Sequence, residues 1–127
     1  GPAGLSCAYQ LALAGFPVTV FEALPVAGGM LAVGLPSFRL PKDVVAREIA
    51  AIVGLGVEIR QPQALGRDFS LASLLDDGYE AVFLALGTHV SNRLGVENDD
   101  APGVLPGMEF LRDVNLDAGR WTDAPAT

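Results

Sequence analysis

The chain opens with a glycine-rich segment, Gly1-Pro2-Ala3-Gly4, that runs directly into an apolar stretch predicted to be a helix over residues 5–14. A β-rich run, Val18–Phe21, follows this helix and ends at the acidic residue Glu22. Glycines before a helix, followed by a strand with a carboxylate at its end, are typical of the βαβ unit that binds a dinucleotide. The sequence therefore predicts a Rossmann-like α/β fold.

Each part of this pattern has a chemical reason. In the full G-x-G-x-x-G fingerprint a strand and a further glycine come first, so Gly1 and Gly4 correspond to the second and third glycines. A glycine at the Gly1 position lets the backbone approach a pyrophosphate, and one at Gly4 lets helix and strand pack closely. The pyrophosphate would lie at the positive end of helix 5–14, and Glu22 would accept hydrogen bonds from a ribose.

Composition narrows the possible functions. The 127 residues are enough for one domain, and 15 acidic against 8 basic residues give a net charge of −7, which argues against nucleic-acid binding. No apolar run approaches the length of a membrane span. The single Cys7 excludes an internal disulfide, a C-x-x-C pair and an iron–sulfur cluster within this chain, and it fits a cytoplasmic protein.

Two features after Glu22 favour FAD over NAD. Gly28-Gly29 would let the chain pass close to a cofactor, and an acidic residue followed shortly by two glycines is common in flavoproteins that bind two dinucleotides. The segment Leu31–Leu40 is predicted to be a long irregular loop that lines a pocket. Its one charged residue, Arg39, suits a phosphate or a flavin edge, although an ion pair with a nearby carboxylate is the alternative.

The middle of the chain continues the α/β pattern. Pro41 begins a predicted helix that Gly54 and Gly56 end, and Val57–Arg60 alternates like a strand. A short helix is predicted over residues 71–76, with either Asp68 or Ser70 as its N-cap.

A second continuous apolar run, Ala81–Leu86, is predicted to be a buried parallel strand. Ligands of open α/β sheets gather at the carboxyl ends of strands, which places Gly87-Thr88 against a cofactor. His89 stands beside them, but no orienting carboxylate is near it in sequence, so an exposed loop histidine is preferred to a catalytic one. Gly107–Leu116 is predicted to be a last helix, and the tail with Trp121 is predicted to be a linker.

These residues, taken together, resemble the small (beta) subunit of NADPH-dependent glutamate synthase. The same pattern occurs in its relatives, the flavin half of dihydropyrimidine dehydrogenase and the large subunit of NADH-dependent ferredoxin:NADP oxidoreductase. The similarity covers about residues 1–116, and its most specific part is Gly34-Leu35-Pro36-x-Phe38-Arg39-Leu40-Pro41. The other matching stretches are Gly1–Leu5, Phe21-Glu22, Gly28–Leu31, Leu84–Thr88 and Phe110–Leu116.

The resemblance implies a two-dinucleotide-binding flavoprotein in which electrons pass from NADPH or NADH through FAD to iron–sulfur clusters of an iron–sulfur or amidotransferase-type partner subunit. Position by position, it implies that Gly1, Pro2, Ala3 and Gly4 hold the pyrophosphate. Glu22 and Ala23 would then meet the adenosine ribose. Gly29, Met30 and Arg39 would lie along the cofactor. The backbone of Leu65 would meet the adenine, and Gly87 and Thr88 would close over the middle of FAD. It implies no catalytic side chain and no metal ligand.

The same resemblance suggests how the chain is divided. Residues 1–106 are predicted to be a partial FAD-binding domain that lacks its first strand, and residues 107–127 a helix and linker toward an NAD(P)H-binding domain. The chain is accordingly expected to be an internal fragment that is inactive alone. Two alternatives stay open: an NAD-binding Rossmann dehydrogenase domain, and an interaction domain that has kept the fold without a cofactor.

Overall fold

A computed structural model describes residues 1–116, and the predicted linker with Trp121 lies outside the described residues. Five helices and two strands make up this part of the chain, and both strands have helices before and after them. The helices are α1 (Pro2–Leu13), α2 (Met30–Val33), α3 (Lys42–Val53), α4 (Leu71–Asp76) and α5 (Gly107–Leu116). The strands are β1 (Thr19–Phe21) and β2 (Glu58–Arg60).

Helix α1 begins earlier than the sequence predicts. Gly1 is its N-cap and Pro2 its first residue, so the glycine-rich segment forms the first turn rather than a loop before it. Proline is tolerated there because the first N–H groups of a helix have no partner within it. The chain leaves α1 through Gly15, whose φ of 88° suits glycine.

The two strands pair in parallel, with Val20 opposite Ile59. This is the relation expected of neighbouring strands joined by a crossover, because parallel strands cannot be joined by a tight turn. Helices α1 and α3 pack against each other, and α1 also contacts β1. The arrangement confirms a mixed α/β chain.

The buried apolar side chains all lie in the first part of the described chain. They are Leu5, Ala8, Val33, Val45, Val57 and Leu74. An aromatic cluster extends this core beside β1, where the ring centre of Phe21 lies 4.7 Å from that of Phe69 and 5.8 Å from that of Tyr79. The core therefore lies where α1 packs on β1 and on α3, and the aromatic cluster extends it toward α4.

The prediction of an irregular loop over Leu31–Leu40 is wrong at its start. Met30–Val33 form helix α2, and the remainder turns tightly where the amides of Arg39 and Leu40 donate to the carbonyl of Pro36. Helix α2 could not be predicted from the sequence, because four residues are too few to show helical periodicity.

The prediction of a strand over Ala81–Leu86 is also wrong for the described chain. These residues are in no strand, and Phe83, Leu84 and Leu86 are 53–62% exposed. A strand exists only where its backbone pairs, and within residues 1–116 the sheet consists of β1 and β2 alone. An apolar, β-branched composition expresses a tendency to pair but supplies no partner.

The later helices agree with the sequence. Helix α4 spans the predicted residues, and Ser70 is its N-cap, with Ser70 and Ser73 each accepting a hydrogen bond from the other's backbone amide. Helix α5 also has the predicted bounds. Among residues 1–116 no helix has the length and apolar character needed to cross a bilayer.

Candidate functional site

Gly1 and Gly29 meet at the N-terminal end of α1. A Cβ added to Gly29 would lie 2.6 Å from the Cα of Gly1, which is closer than non-bonded carbons approach. Gly29 also has φ 55° and ψ −131°, a conformation that side chains make unfavourable. Glycine is therefore required at Gly29 both by contact and by backbone conformation.

Glu22 brings a carboxylate to the same place. Its Oε1 accepts a hydrogen bond of 3.0 Å from the amide of Leu24, and its Oε2 lies 3.6 Å from the backbone nitrogen of Gly1. The side chain is 12% exposed. Ala23 is exposed in the turn that this bond closes. The structure thus joins the glycine segment, the strand-end carboxylate and the Gly28-Gly29 turn in one region.

The first turn of α1 leaves donors for an anion. No side chain caps this 12-residue helix at its N-terminus, and its first turn contains no acidic residue. The Glu22 carboxylate lies 3.6 Å from the Gly1 nitrogen at this positive helix end, but no side chain accepts a capping hydrogen bond from the amides of the first turn. Pro2 and Ala3 are exposed in this turn and Gly4 is partly exposed. Such an end, beside two glycines that let a ligand approach, fits the pyrophosphate of a dinucleotide.

Leu65 lies in a loop that is tied to the end of β1. The amide of Gln63 donates to the carbonyl of Glu22 over 2.7 Å, which sets the loop beside the acidic residue. Asp68 shapes the loop, because its Oδ2 accepts from the amide of Ala64 over 2.7 Å. A hydrogen bond from Arg67, followed by that backbone bond, lowers the pKa of Asp68. Asp68 is therefore a loop-forming residue and not the cap of α4.

Gly87 and Thr88 are exposed. They nevertheless follow a segment that touches α1, since a Cβ added at Gly4 would lie 3.3 Å from the Cβ of Ala85. Gly87 has φ 69°, and its Cβ position would lie 3.7 Å from the ring of His89. This segment therefore reaches the helix end even though it is not a strand.

Met30 reaches the site through its backbone, as the residue after Gly29. Its side chain points along α2, because a Cβ at Gly34 would lie 2.8 Å from the Met30 sulfur and 3.4 Å from Cε of Met108. This places the thioether toward α5.

Arg39 is exposed beside Phe38, which is 85% exposed. Within the described part of the chain its guanidinium is in no ion pair or hydrogen bond, so the alternative of a local carboxylate partner is not observed there. No hydrogen bond joins it to Gly1, Glu22 or Gly29 either. Its place along a cofactor remains a prediction.

Sequence reasoning missed two side chains that hold α2. Lys42 donates to carbonyl oxygens of Leu31, Ala32 and Leu35, and Asn115 donates to that of Val33. The sequence contained only a weak indication of this role. A positive charge at the first residue of a helix interacts unfavourably with the helix dipole, which suggests that Lys42 has a favourable partner outside its own helix.

The family described as flavin containing amine oxidoreductase matches residues 2–33, which include Pro2–Gly4, Glu22 and Gly28-Gly29. This range contains Glu22 and Gly29, which lie beside Gly1 at the end of α1.

Three relatives match most of the chain, a longer range than the family model does. The chain is 58% identical over 119 residues to the NADP(+)-dependent formate dehydrogenase subunit beta of Moorella thermoacetica. It is 48% identical over 121 residues to the NADPH-Fe(3+) oxidoreductase subunit beta of Geobacter sulfurreducens. It is 45% identical over 111 residues to the glutamate synthase [NADPH] small chain of Escherichia coli (strain K12). The resemblance predicted from the sequence motifs is thereby confirmed.

The matches cover most of this chain but a small part of each relative. They include 92%, 91% and 87% of the chain, and 17%, 18% and 23% of the three relatives respectively. The chain therefore spans about a fifth of the length of the curated relatives it matches.

Proposed function

We propose that this chain forms part of an FAD site in a subunit of an NAD(P)H-dependent oxidoreductase. The observation that carries the proposal is the meeting of Gly1, Gly29 and Glu22 at the uncapped end of α1. The matched family is one of flavin-containing enzymes, and the names of the relatives include NADP and NADPH. Both facts support FAD as the bound dinucleotide and a nicotinamide as the electron donor.

The residues present would divide the work of binding. Gly1–Gly4 would hold the pyrophosphate at the positive end of α1. Glu22 and Ala23 would orient the adenosine ribose, and the backbone of Leu65 would meet the adenine. Gly29 and Met30 would form the floor of the site, Arg39 would supply positive charge along the cofactor, and Gly87 and Thr88 would cover its middle.

FAD, when bound, takes up a hydride and releases single electrons, so the protein contributes placement and electrostatics. We therefore propose that the residues of this chain bind and orient the cofactor and that none of them is catalytic. We propose that electrons leave toward iron–sulfur clusters of a partner subunit in the cytoplasm, supported by relatives named as beta subunits and a small chain. Residues 1–106 would belong to the FAD-binding domain, and 107–127 would lead to the nicotinamide-binding domain.

The proposal is tested by the anaerobic absorbance spectrum of the complete polypeptide, before and after NADPH or NADH is added. We expect flavin bands that bleach with one of the nucleotides, which also identifies the donor. A folded protein without flavin bands would favour the cofactor-free interaction domain, and retention of NAD in place of FAD would favour the dehydrogenase alternative.

Glu22→Gln tests the residue assignment. The glutamine amide still accepts a hydrogen bond from the ribose hydroxyls but has no charge. A hydrogen bond to a charged group contributes about 1.5–3 kcal/mol and a neutral one about 0.5–1.5 kcal/mol, so we expect FAD affinity to fall about five- to tenfold. Titration of the apoprotein with FAD measures the change. Glu58→Gln is the matched control, because Glu58 is an exposed residue of the neighbouring strand that pairs with Arg60. Unchanged affinity in Glu22→Gln would remove Glu22 from the site.

A further inference from the structure

The ammonium group of Lys42 is surrounded by backbone carbonyls. Its Nζ donates to the oxygens of Leu35, Ala32 and Leu31 at 2.5, 2.7 and 3.3 Å. Within the part of the chain that the structure describes, Lys42 is in no ion pair with a carboxylate. Lys42 is partly buried, and this burial lowers the pKa of its ammonium group.

Interactions within α3 do not account for the placement of a lysine at this position. It is the first residue of α3, where the helix dipole disfavours a positive charge. The three carbonyls belong to α2 and the turn after it, so their negative ends supply the favourable partner that α3 lacks. The side chain therefore stabilises α2.

Helix α2 needs such a partner. It has four residues, and a single helical turn is unstable alone because nucleation is unfavourable. The carbonyls at the end of a helix receive no hydrogen bond from an amide of that helix, so they need a donor from elsewhere. Lys42 takes two of them, and Asn115 on α5 takes that of Val33 over 3.0 Å.

The opposite end of α2 is the functional part. Its N-cap is Gly29, and the amide of Leu31 donates back to the carbonyl of Gly28, so formation of α2 fixes the Gly28-Gly29 turn. That turn is the one that meets Gly1. A displacement of α2 would therefore change the spacing between Gly29 and the pyrophosphate end of α1.

We propose that Lys42 is a positioning residue of the flavin site. Its ammonium holds the carbonyl end of α2, and α2 in turn holds Gly29 against Gly1 at the spacing that the cofactor needs. Lys42 does not touch the cofactor in this arrangement. The inference deepens the proposed function and rests on it.

The test compares three variants of the complete polypeptide. Lys42→Met removes the charge and keeps the length of the side chain, whereas Lys42→Arg keeps a cation that can donate to several carbonyls. Arg47→Met is the matched control, because Arg47 lies on the same helix, is 73% exposed and pairs only with Asp43 within the described residues. FAD affinity of the apoprotein and the visible circular dichroism of the bound flavin are measured for each.

We expect Lys42→Met to weaken FAD binding by about tenfold, because the carbonyls of α2 lose their donor and α2 no longer holds Gly29 in place. The dichroism per bound flavin should also change, because a positioning residue alters the geometry of the flavin and not only the amount retained. Lys42→Arg should restore most of the affinity, and Arg47→Met should match the unmodified protein.

Flavin bound by Lys42→Met with unchanged affinity and dichroism would overturn the proposal while leaving the flavin function intact. An unmodified protein that binds no flavin would overturn both, so the two failures are distinguishable. If Lys42→Met does not fold, Asn115→Ala provides the same test from α5. It should weaken FAD binding and alter the dichroism in the same direction, and no effect on either would overturn the proposal.

Discussion

Residues 1–76 and residues 81–106 are both rich in apolar side chains, yet they have different structures. The first region forms four helices and two strands and contains all the buried apolar residues of the described chain. In the second region Val90 and Leu94 are each 84% exposed, and no helix or strand forms. Apolar content alone therefore does not determine burial.

The difference lies in the partners available to each segment. The backbone of β1 pairs with that of β2. Helices α1 and α3 pack against each other, and this packing covers the side chains of Ala8 on α1 and Val45 on α3. The apolar run Ala81–Leu86 touches α1 through Ala85 but has no strand beside it. In a doubly wound sheet the fourth strand pairs with the first, so this run would need a strand that the described residues do not contain.

The largest effect in this comparison is expected for Gly29→Ala in the first region. The new Cβ would meet Gly1 at 2.6 Å and would occupy a backbone conformation with φ 55° and ψ −131°. Strain and overpacking together should lower the free energy of unfolding by about 2–6 kcal/mol. Flavin retention should be lost as well. Urea unfolding followed by circular dichroism measures the first effect, and flavin absorbance the second.

Gly103→Ala is the control from the second region. Gly103 also has a positive φ, 93°, but a Cβ there would meet nothing within 4 Å. The loss should be limited to the backbone term, about 1–2 kcal/mol. If Gly29→Ala and Gly103→Ala lowered the free energy of unfolding equally, the close approach of Gly29 to Gly1 would make no contribution to stability.

The sequence predicted the features that depend on local chemistry. The bounds of α4 and α5 follow from preferences within a few residues, which also limited the cap of α4 to Asp68 or Ser70, and the pattern from Gly1 to Glu22 predicted a dinucleotide site. Contacts between distant residues were not predictable. Lys42 finds its carbonyls only after α2 and α3 have folded together, and the pairing of Ala81–Leu86 depends on a strand elsewhere.

A smaller contrast is expected between two valines. Val33 is fully buried in α2, and Val90 is 84% exposed. Val33→Ala should lower the free energy of unfolding by about 2–3 kcal/mol, because two methyl groups leave the core and a cavity remains. Val90→Ala should stay within about 0.5 kcal/mol of the unmodified protein. Urea unfolding measures both, and equal losses would show that residues 81–106 are packed in solution.

The smallest change in the free energy of unfolding is expected from substitutions of two aspartates, one in each region. Each aspartate accepts a hydrogen bond from the backbone amide four residues before it. Asp68 Oδ2 accepts from the amide of Ala64 over 2.7 Å, and Asp99 Oδ2 accepts from the amide of Gly95 over 2.8 Å. Asp68 also has Arg67 at 2.8 Å, whereas Arg93 lies 3.6 Å from Asp99. The bond from Arg67, and then that from Ala64, lower the pKa of Asp68 in the folded protein.

A folded-state pKa below the unfolded value, about 3.9, means that the ionised carboxylate stabilises the fold. This stabilisation is complete above about pH 5 and is lost as the pH falls through the folded-state pKa. Asp68→Asn should therefore be less stable than the unmodified protein at pH 7, and the difference should shrink as the pH is lowered below 5. Asp99→Asn serves as the control for the backbone bond. Urea unfolding at pH 7, 5, 4 and 3 measures the difference. Equal stability of Asp68→Asn and the unmodified protein at every pH would show that the bond from the Ala64 amide, without the charge, holds the loop beside Glu22.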